Sequence, residues 1–288
     1  METPRFRVRP GETVGLRRYA TDDTGPFKHK RKAASKLKRG LERLVKLQEL
    51  LYAEHRWSLL LVFQGMDAAG KDSAIKHVMS GLDPQGTQVY SFKRPSDEDL
   101  DHDYLWRAVK GLPERGRIGI FNRSYYEELL VPRVHPQILD AQKLPPSLVT
   151  SRIWTQRCED INAFERHLAR NGTLIRKFFL HVSKEEQRRR LLERLDDPAK
   201  NWKFQPGDLD ERDRWDDYAR AYEQMLSKTS ARHAPWFIVP ADHKWFTRLV
   251  IAELVAEALD SLGLTFPKPS KQQLVALAEA RKRLTRNI

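Results

Sequence analysis

The chain has 288 residues and a formal net charge of +13, from 52 Lys or Arg against 39 Asp or Glu, with 40% hydrophobic and 32% charged residues. That length can bury one large core, and the charge implies attraction to a polyanion: a phosphate polymer, a nucleic acid or a membrane surface. The single cysteine, Cys158, excludes an intramolecular disulfide and a cysteine-based metal site. No apolar run reaches membrane-spanning length and Met1 to Pro10 lacks a signal-peptide core, so a cytoplasmic protein is expected.

Residues 1–27 have mixed charge and weak periodicity and are expected to form an irregular arm. From 28 to 54 the spacing predicts a helix, with Leu37, Leu41, Leu44, Gln48 and Leu51 on one face and Leu47 and Leu50 beside it. Between Lys28 and Lys46 its other face carries nine Lys or Arg against one acid, Glu42, and a solvated surface explains that face as well as a binding role does. Leu59 to Phe63 reads as a buried strand that breaks at Gly65. Gly70-Lys71 then opens a segment with helical spacing at Ala74, Ile75, Val78 and Met79.

Strand, Gly65-x-x-x-x-Gly70-Lys71 and helix form the context of a phosphate-binding loop. Glycines let the backbone curl so that successive N–H groups point inward, and the helix N-terminus adds positive potential. Lys71, expected at the loop surface, reaches the transferred phosphate. Gly65, Ala68, Ala69, Gly70, Asp72 and Ser73 are the loop's candidate contacts. Asp72 stands where a Ser or Thr hydroxyl would ordinarily ligate Mg²⁺, and Asp67 puts a second carboxylate inside the loop, which suits a metal ion between loop and phosphate. A glycine-rich turn capped by Asp72 is the bland alternative.

Beyond the turn Asp83-Pro-Gln-Gly86, a second strand is expected over 87–92, a helix over 99–110 and a third strand over 118–121. Asn122-Arg-Ser-Tyr-Tyr-Glu-Glu128 follows that strand at its C-terminal end, the edge where open parallel sheets bind ligands. Arg123 is placed to hold a transferring phosphoryl group, and Glu127 and Glu128 to hold a metal; a surface pair at a helix start is the alternative. Pro132, Pro136, Pro145 and Pro146 mark a loop-rich crossing, a helix is expected over 147–170 and a fourth strand over 174–182. Ser183-Lys-Glu-Glu186 is a capping box opening a helix to Leu195, and a second helix is expected over 209–230. This charged hairpin, 183–230, reads as a mobile flap whose arginine cluster, Arg188 to Arg190, closes over the transferred group, with plain helix-surface arginines as the alternative, and with Trp202, Trp215, Tyr218 and Tyr222 as its own packing. A fifth strand over 236–239, a helix over 245–262 and a basic tail with a short helix complete an α/β alternation that implies a parallel sheet.

Gly65-Met-Asp-Ala-Ala-Gly-Lys-Asp72, Phe121-Asn-Arg-Ser-Tyr-Tyr-Glu127, Ser183-Lys-Glu-Glu-Gln-Arg-Arg-Arg190 and Trp202-Lys-Phe together closely resemble the polyphosphate kinase 2 family. The likeness runs from about Lys28 to Leu262 and includes Asp103-Tyr-Leu-Trp-Arg107 and Pro235-Trp-Phe-Ile-Val239. It implies a P-loop kinase fold similar to thymidylate kinases, a parallel sheet flanked by helices with a helical lid. It also implies reversible phosphoryl transfer from inorganic polyphosphate to nucleotides, AMP and ADP giving ADP and ATP, with Mg²⁺ or Mn²⁺. The organisation expected is an arm over 1–27, a phosphotransferase body over 28–262 with its lid at about 183–230, and a tail over 263–288. By resemblance Asp67 is a metal-binding carboxylate, Lys71 the phosphate-holding lysine, Arg123 the arginine after the third strand, and Arg189 and Arg190 lid arginines. Asn122 and Arg133 join the nucleotide-binding candidates, and Asp67, Glu127 and Glu128 the metal candidates. Family branches restricted to diphosphates carry Asp and Asn where this chain has Asn122 and Glu127, so the resemblance is to the branch accepting AMP and ADP. A homo-oligomer, dimer or tetramer, is implied, with neither nucleic acid nor membrane as partner. Two other classes stay open on the residues: an ATP-dependent nucleoside monophosphate kinase, and a P-loop nucleic-acid-binding ATPase.

Overall fold

A computed structural model describes residues 3–27 and 29–286; Lys28, named above at the start of the basic stretch, lies outside them, as do Met1, Glu2, Asn287 and Ile288. Five strands, β1 Ser58–Gln64, β2 Thr87–Ser91, β3 Ile118–Asn122, β4 Thr173–His181 and β5 Trp236–Pro240, form one wholly parallel sheet in the order β2-β3-β1-β4-β5. All seven residues of the central strand β1 are buried, as its unbroken apolar run requires when both faces of a parallel sheet are covered. Each strand lies within two residues of its expected place.

The helices are α1 Lys30–Glu54, α2 Lys71–Val78, α3 Asp97–Leu100, α4 Trp106–Lys110, α5 Glu127–Val134 and α6 Pro136–Asp140. Then come α7 Ile153–Arg170, α8 Lys184–Asp196, α9 Gly207–Asp213, α10 Trp215–Thr229, α11 Lys244–Asp260 and α12 Lys271–Thr285. One face of the sheet is covered by α11, which is apolar and buried along nearly its whole length and carries α1 and α2 against it. On the other face α7 packs against β4, with α5 and α10 packed beside it and Tyr222 of α10 against Phe179 of β4. No helix among the described residues is long and apolar enough to cross a membrane.

Several local expectations change. The 99–110 helix splits into α3 and α4, because Ser96 and Asp99 form a capping box that starts a helix earlier. The proline-rich crossing contains α5 and α6. Pro132 sits inside α5, where it has no N–H to give to the carbonyl of Glu128, and Arg157 Nη1 donates to that carbonyl instead at 2.8 Å. The arm is irregular but not loose: Phe6, Val8, Val14 and Leu16 are buried, and Val8 N–H donates to Trp236 O, covering the β5 edge.

The hairpin between β4 and β5 divides. Its second half, α10, is core rather than flap, because Ala221, Tyr222, Met225, Leu226 and Thr229 recur at helical spacing and are buried. The surrounding charges hid that stripe. In the first half the stretch after α8 is exposed: Trp202, expected to pack within the flap, is 77% exposed, its indole N–H donating to Ala199 O and its ring centroid lying 5.0 Å from Lys203 Nζ. The last helix, α12, is capped by Ser270 and Gln273 and buries none of its residues.

Candidate active site

The loop after β1 requires unusual backbone. Gly65 has φ +156°, and a Cβ there would meet Leu180 O at 2.8 Å, so only glycine fits. Gly70 has φ +102° and Ala68 φ 56°, a left-handed conformation that costs a side-chain-bearing residue about 1–2 kcal/mol. Such strain is commonest in loops that bind or act. The amides of Asp67, Ala68, Gly70 and Lys71 donate to no other group among the described residues, at the N-terminus of α2, an arrangement suited to an anion.

The loop's carbonyls are held from the other side. Arg190 Nη1 donates to Ala68 O and Ala69 O at 3.0 and 2.8 Å, its Nη2 to Ala241 O and Asp242 O, and its Nε to Glu186. Gln187 Nε2 donates to Asp67 O at 3.0 Å. Arg190 is thus buried and braces the loop, whereas its neighbour Arg189 is exposed and paired with Glu186 and Glu193 on the helix surface. Arg190→Ala is expected to lower melting temperature and turnover together, because it strips charged donors from buried carbonyls. Arg189→Ala is expected to leave the melting temperature within a degree or so, as for a surface pair, with any loss confined to turnover. Thermal melts and steady-state rates of the two variants check this.

Lys71 is buried, not at the loop surface, and Nζ donates to Gly65 O at 2.7 Å and Met66 O at 3.3 Å. Burial and then Arg123 push its pKa down to about 8, against the pull of Asp67, Glu127 and Asp72. The unfolded chain, with a lysine near 10.5, therefore binds more protons between pH 8 and 10.5, and this group's contribution to stability rises with pH across that window. In protein without metal or substrate, wild-type melting temperature is expected to climb relative to Lys71→Met over the same range. Parallel curves would mean that Lys71 titrates like an exposed lysine.

Across the loop stands the end of β3. Arg123 is left-handed, φ 60°, and its N–H donates to Phe63 O at 3.0 Å, which turns the chain so that the guanidinium returns to the loop. Its Nη2 meets Asp67 Oδ1 at 2.8 Å and its Nη1 lies 3.7 Å from Glu127 Oε2; Glu127 and Asp67 hold it firmly charged. Asp67, Arg123 and Glu127 line a cavity of about 280 Å³ with Gln187, Asp208 and Tyr218. Asn122 Nδ2 donates to Asp72 Oδ1 at 2.6 Å, and Ser73 Oγ accepts from Arg248 Nη2 at 2.8 Å, so both loop residues are engaged by neighbouring elements.

The structure separates the remaining candidates. Glu128 turns away from Glu127, since successive helical residues point about 100° apart. It is buried, takes a hydrogen bond from Gln142 and lies 3.7 Å from Arg157; burial pushes its pKa up while Arg157 and Gln142 oppose. It lines a different cavity, of about 500 Å³, with Tyr104, Arg107, Leu148, Ile153 and Arg157. There Tyr104 OH and Arg107 Nη1 are buried without a hydrogen-bond partner among the described residues, although Arg107 Nη1 lies 3.8 Å from Asp99 Oδ2. Arg133 lines neither cavity; it donates to Gln224 and lies over the Trp154 ring. Sequence reasoning missed Arg157, a lone arginine on an amphipathic helix with no local signal. Arg107 stood in the string Asp103-Tyr-Leu-Trp-Arg107 but carried no assigned role. Gln187 likewise stood in the string Ser183-Lys-Glu-Glu-Gln-Arg-Arg-Arg190 without an assigned role, and Asp208 had only its place in the charged hairpin.

The profile of the family Polyphosphate kinase 2 (PPK2) matches residues 28–265. An ADP-polyphosphate phosphotransferase of Rhodopseudomonas palustris is 49% identical over 285 residues, covering 99% of each chain. An AMP/ADP-polyphosphate phosphotransferase of Meiothermus ruber is 44% identical over 266 residues, covering 92% of this chain and 96% of that one. The crystal structure of a polyphosphate kinase 2 from Arthrobacter aurescens superposes with a TM-score of 0.87 at 39% identity, over 96% of this chain and 95% of that one.

Proposed function

The chain belongs to the polyphosphate kinase 2 family, and from that premise we propose that its P-loop cavity transfers phosphoryl groups from inorganic polyphosphate to both AMP and ADP. It is an enzyme of polyphosphate–nucleotide phosphotransfer. The observation that carries the site is the convergence of Asp67, Arg123 and Glu127 around one cavity beside the loop, with Lys71 buried behind it on the carbonyls of the lining residues Gly65 and Met66.

Phosphoryl transfer asks the protein mainly for position and charge. The loop amides and the Lys71 ammonium bind the phosphoryl oxygens, and Arg123, held between two carboxylates, is aimed at charge that develops during transfer. Asp67 and Glu127 fit a magnesium ion: they are hard oxygen donors on one cavity wall. No group of three or more His, Cys, Asp or Glu among the described residues is placed to hold a metal alone, which suits an ion that keeps water and phosphate oxygens as its other ligands. When bound, Mg²⁺ neutralises and orients the phosphates. Glu128 belongs to the other cavity, where the acceptor's nucleoside has an apolar wall at Leu148 and Ile153 and, in Tyr104 OH, a buried hydroxyl without a hydrogen-bond partner among the described residues to meet.

The test is phosphorylation of AMP and of ADP, assayed separately, with polyphosphate as sole donor and Mg²⁺ present. Product from both is expected. ADP conversion alone would withdraw the AMP limb, and activity with ATP but not polyphosphate as donor would favour a nucleoside monophosphate kinase.

A further inference from the structure

Behind the reaction cavity, on the α7 and α10 side of the sheet, lies a polar cluster that touches no cavity wall directly. Lys177, on β4 beside Val62 of β1 and Trp236 of β5, has no exposed surface, and neither has Glu165 of α7. Lys177 Nζ donates to Glu165 Oε2 at 2.6 Å, to Tyr126 OH at 2.7 Å and to Thr229 O at 2.7 Å. Glu165 Oε1 accepts from both Tyr125 OH and Tyr126 OH at 2.8 Å. Burial and Glu165 push both phenols well above their ordinary value, so they remain donors. Every ammonium proton and both carboxylate oxygens are therefore satisfied. The ammonium also lies 5.1 Å from the ring centroids of Tyr126 and Trp236.

Stability is a poor reason for such a pair, because well-packed apolar residues in place of a buried ion pair are often as stable or more so. What the pair does have is three acceptors on three separate pieces of chain, with geometry fixed by all of them. Tyr125 and Tyr126 follow Ser124 in the three-residue stretch between Arg123 and Glu127. Thr229 ends α10, whose Tyr218 and Tyr222 line the same cavity. One buried cation thus ties two walls of the reaction cavity to the central sheet.

We propose that Lys177 and Glu165 are positioning residues for phosphoryl transfer, acting through Tyr125 and Tyr126 on the placement of Arg123 and Glu127. This rests on the reading of that cavity as the transfer site. Tyr126→Phe removes the hydroxyl shared by Lys177 and Glu165 and keeps the ring. Its expected effect is a fall in kcat of about tenfold or more, the scale of a small misplacement of reacting groups, with KM for polyphosphate unchanged. In a Glu127→Gln background the same substitution is expected to cost clearly less than it does in the wild type, because one of the two groups it positions is already disabled. Losses in kcat that multiply independently, as general destabilisation would produce, overturn the inference, as does an unchanged kcat in Tyr126→Phe. Should Tyr126→Phe fail to fold, Tyr125→Phe, whose hydroxyl reaches only Glu165, carries the same cycle: non-additive losses support the inference, and independent losses or an unchanged kcat overturn it. Full turnover in Glu127→Gln alone would overturn the assignment of the cavity, and this inference with it.

Discussion

Lys71→Met is expected to lower kcat by about a thousandfold or more, at or beyond the upper range for losing one preorganised transition-state donor, in a protein that stays folded. The reason is where the lysine lies. Its stem is buried beneath the loop and its ammonium satisfies the carbonyls of Gly65 and Met66. Methionine retains most of the stem's volume, so the loop keeps its packing, whereas alanine would open a gap and confuse loss of charge with loss of structure. The amides of the cradle remain, so polyphosphate should still bind, and the deficit belongs to the transfer step. Single-turnover transfer from polyphosphate, with a thermal melt of the same sample, makes the measurement. Near-normal turnover in a folded variant would remove Lys71 from the reaction and with it the phosphate-binding role of the loop.

Glu127→Asn should distinguish the two acceptors, cutting AMP phosphorylation by about a hundredfold while ADP phosphorylation falls far less, magnitudes typical of one lost electrostatic contact. AMP is one phosphate shorter than ADP, so bringing its α-phosphate to the reacting position leaves a charge position near the loop to be filled. A carboxylate that helps to hold Mg²⁺ fills it; asparagine keeps the shape and a hydrogen bond but binds Mg²⁺ poorly. The structure adds a second reason. Glu127 lies 3.7 Å from Arg123 Nη1, and Asp67 holds the other end of the same guanidinium. In Glu127→Asn the arginine keeps its Asp67 contact and still serves the longer acceptor. The comparison is AMP and ADP turnover at saturating Mg²⁺, polyphosphate as donor. Equal losses with both acceptors would make Glu127 a general catalytic or structural residue.

Much of the scaffold was legible because its signals are local. Apolar runs bounded by turn residues located all five strands, since a strand of a parallel sheet is buried on both faces and needs no partner's identity to be recognised. The phosphate-binding loop was legible for the same reason: strand, glycines, lysine and helix N-terminus are contiguous, so spacing alone carries the geometry. That Arg123 and Glu127 lie beside the loop followed from their place at the C-terminal edge of β3.

Where a choice depended on which way a side chain points, the sequence was silent and the fold decided. Glu127 and Glu128 are equivalent as neighbours in a string, yet the helical rotation between them sends one to the loop cavity and the other to Gln142 and Arg157. Arg189 and Arg190 divide in the same way, one in solvent and the other bracing the carbonyls of Ala68 and Ala69, more than a hundred residues earlier in the chain. Charge in the 183–230 hairpin suggested a flap throughout, but the buried stripe of α10 is set by the sheet it covers. Lys177 and Glu165 are the clearest case. In sequence they are an ordinary cation in a strand and an ordinary acid on a helix. Only β4, α7, α10 and the turn after β3 together remove both from water, and burial is what obliges each to find its partners.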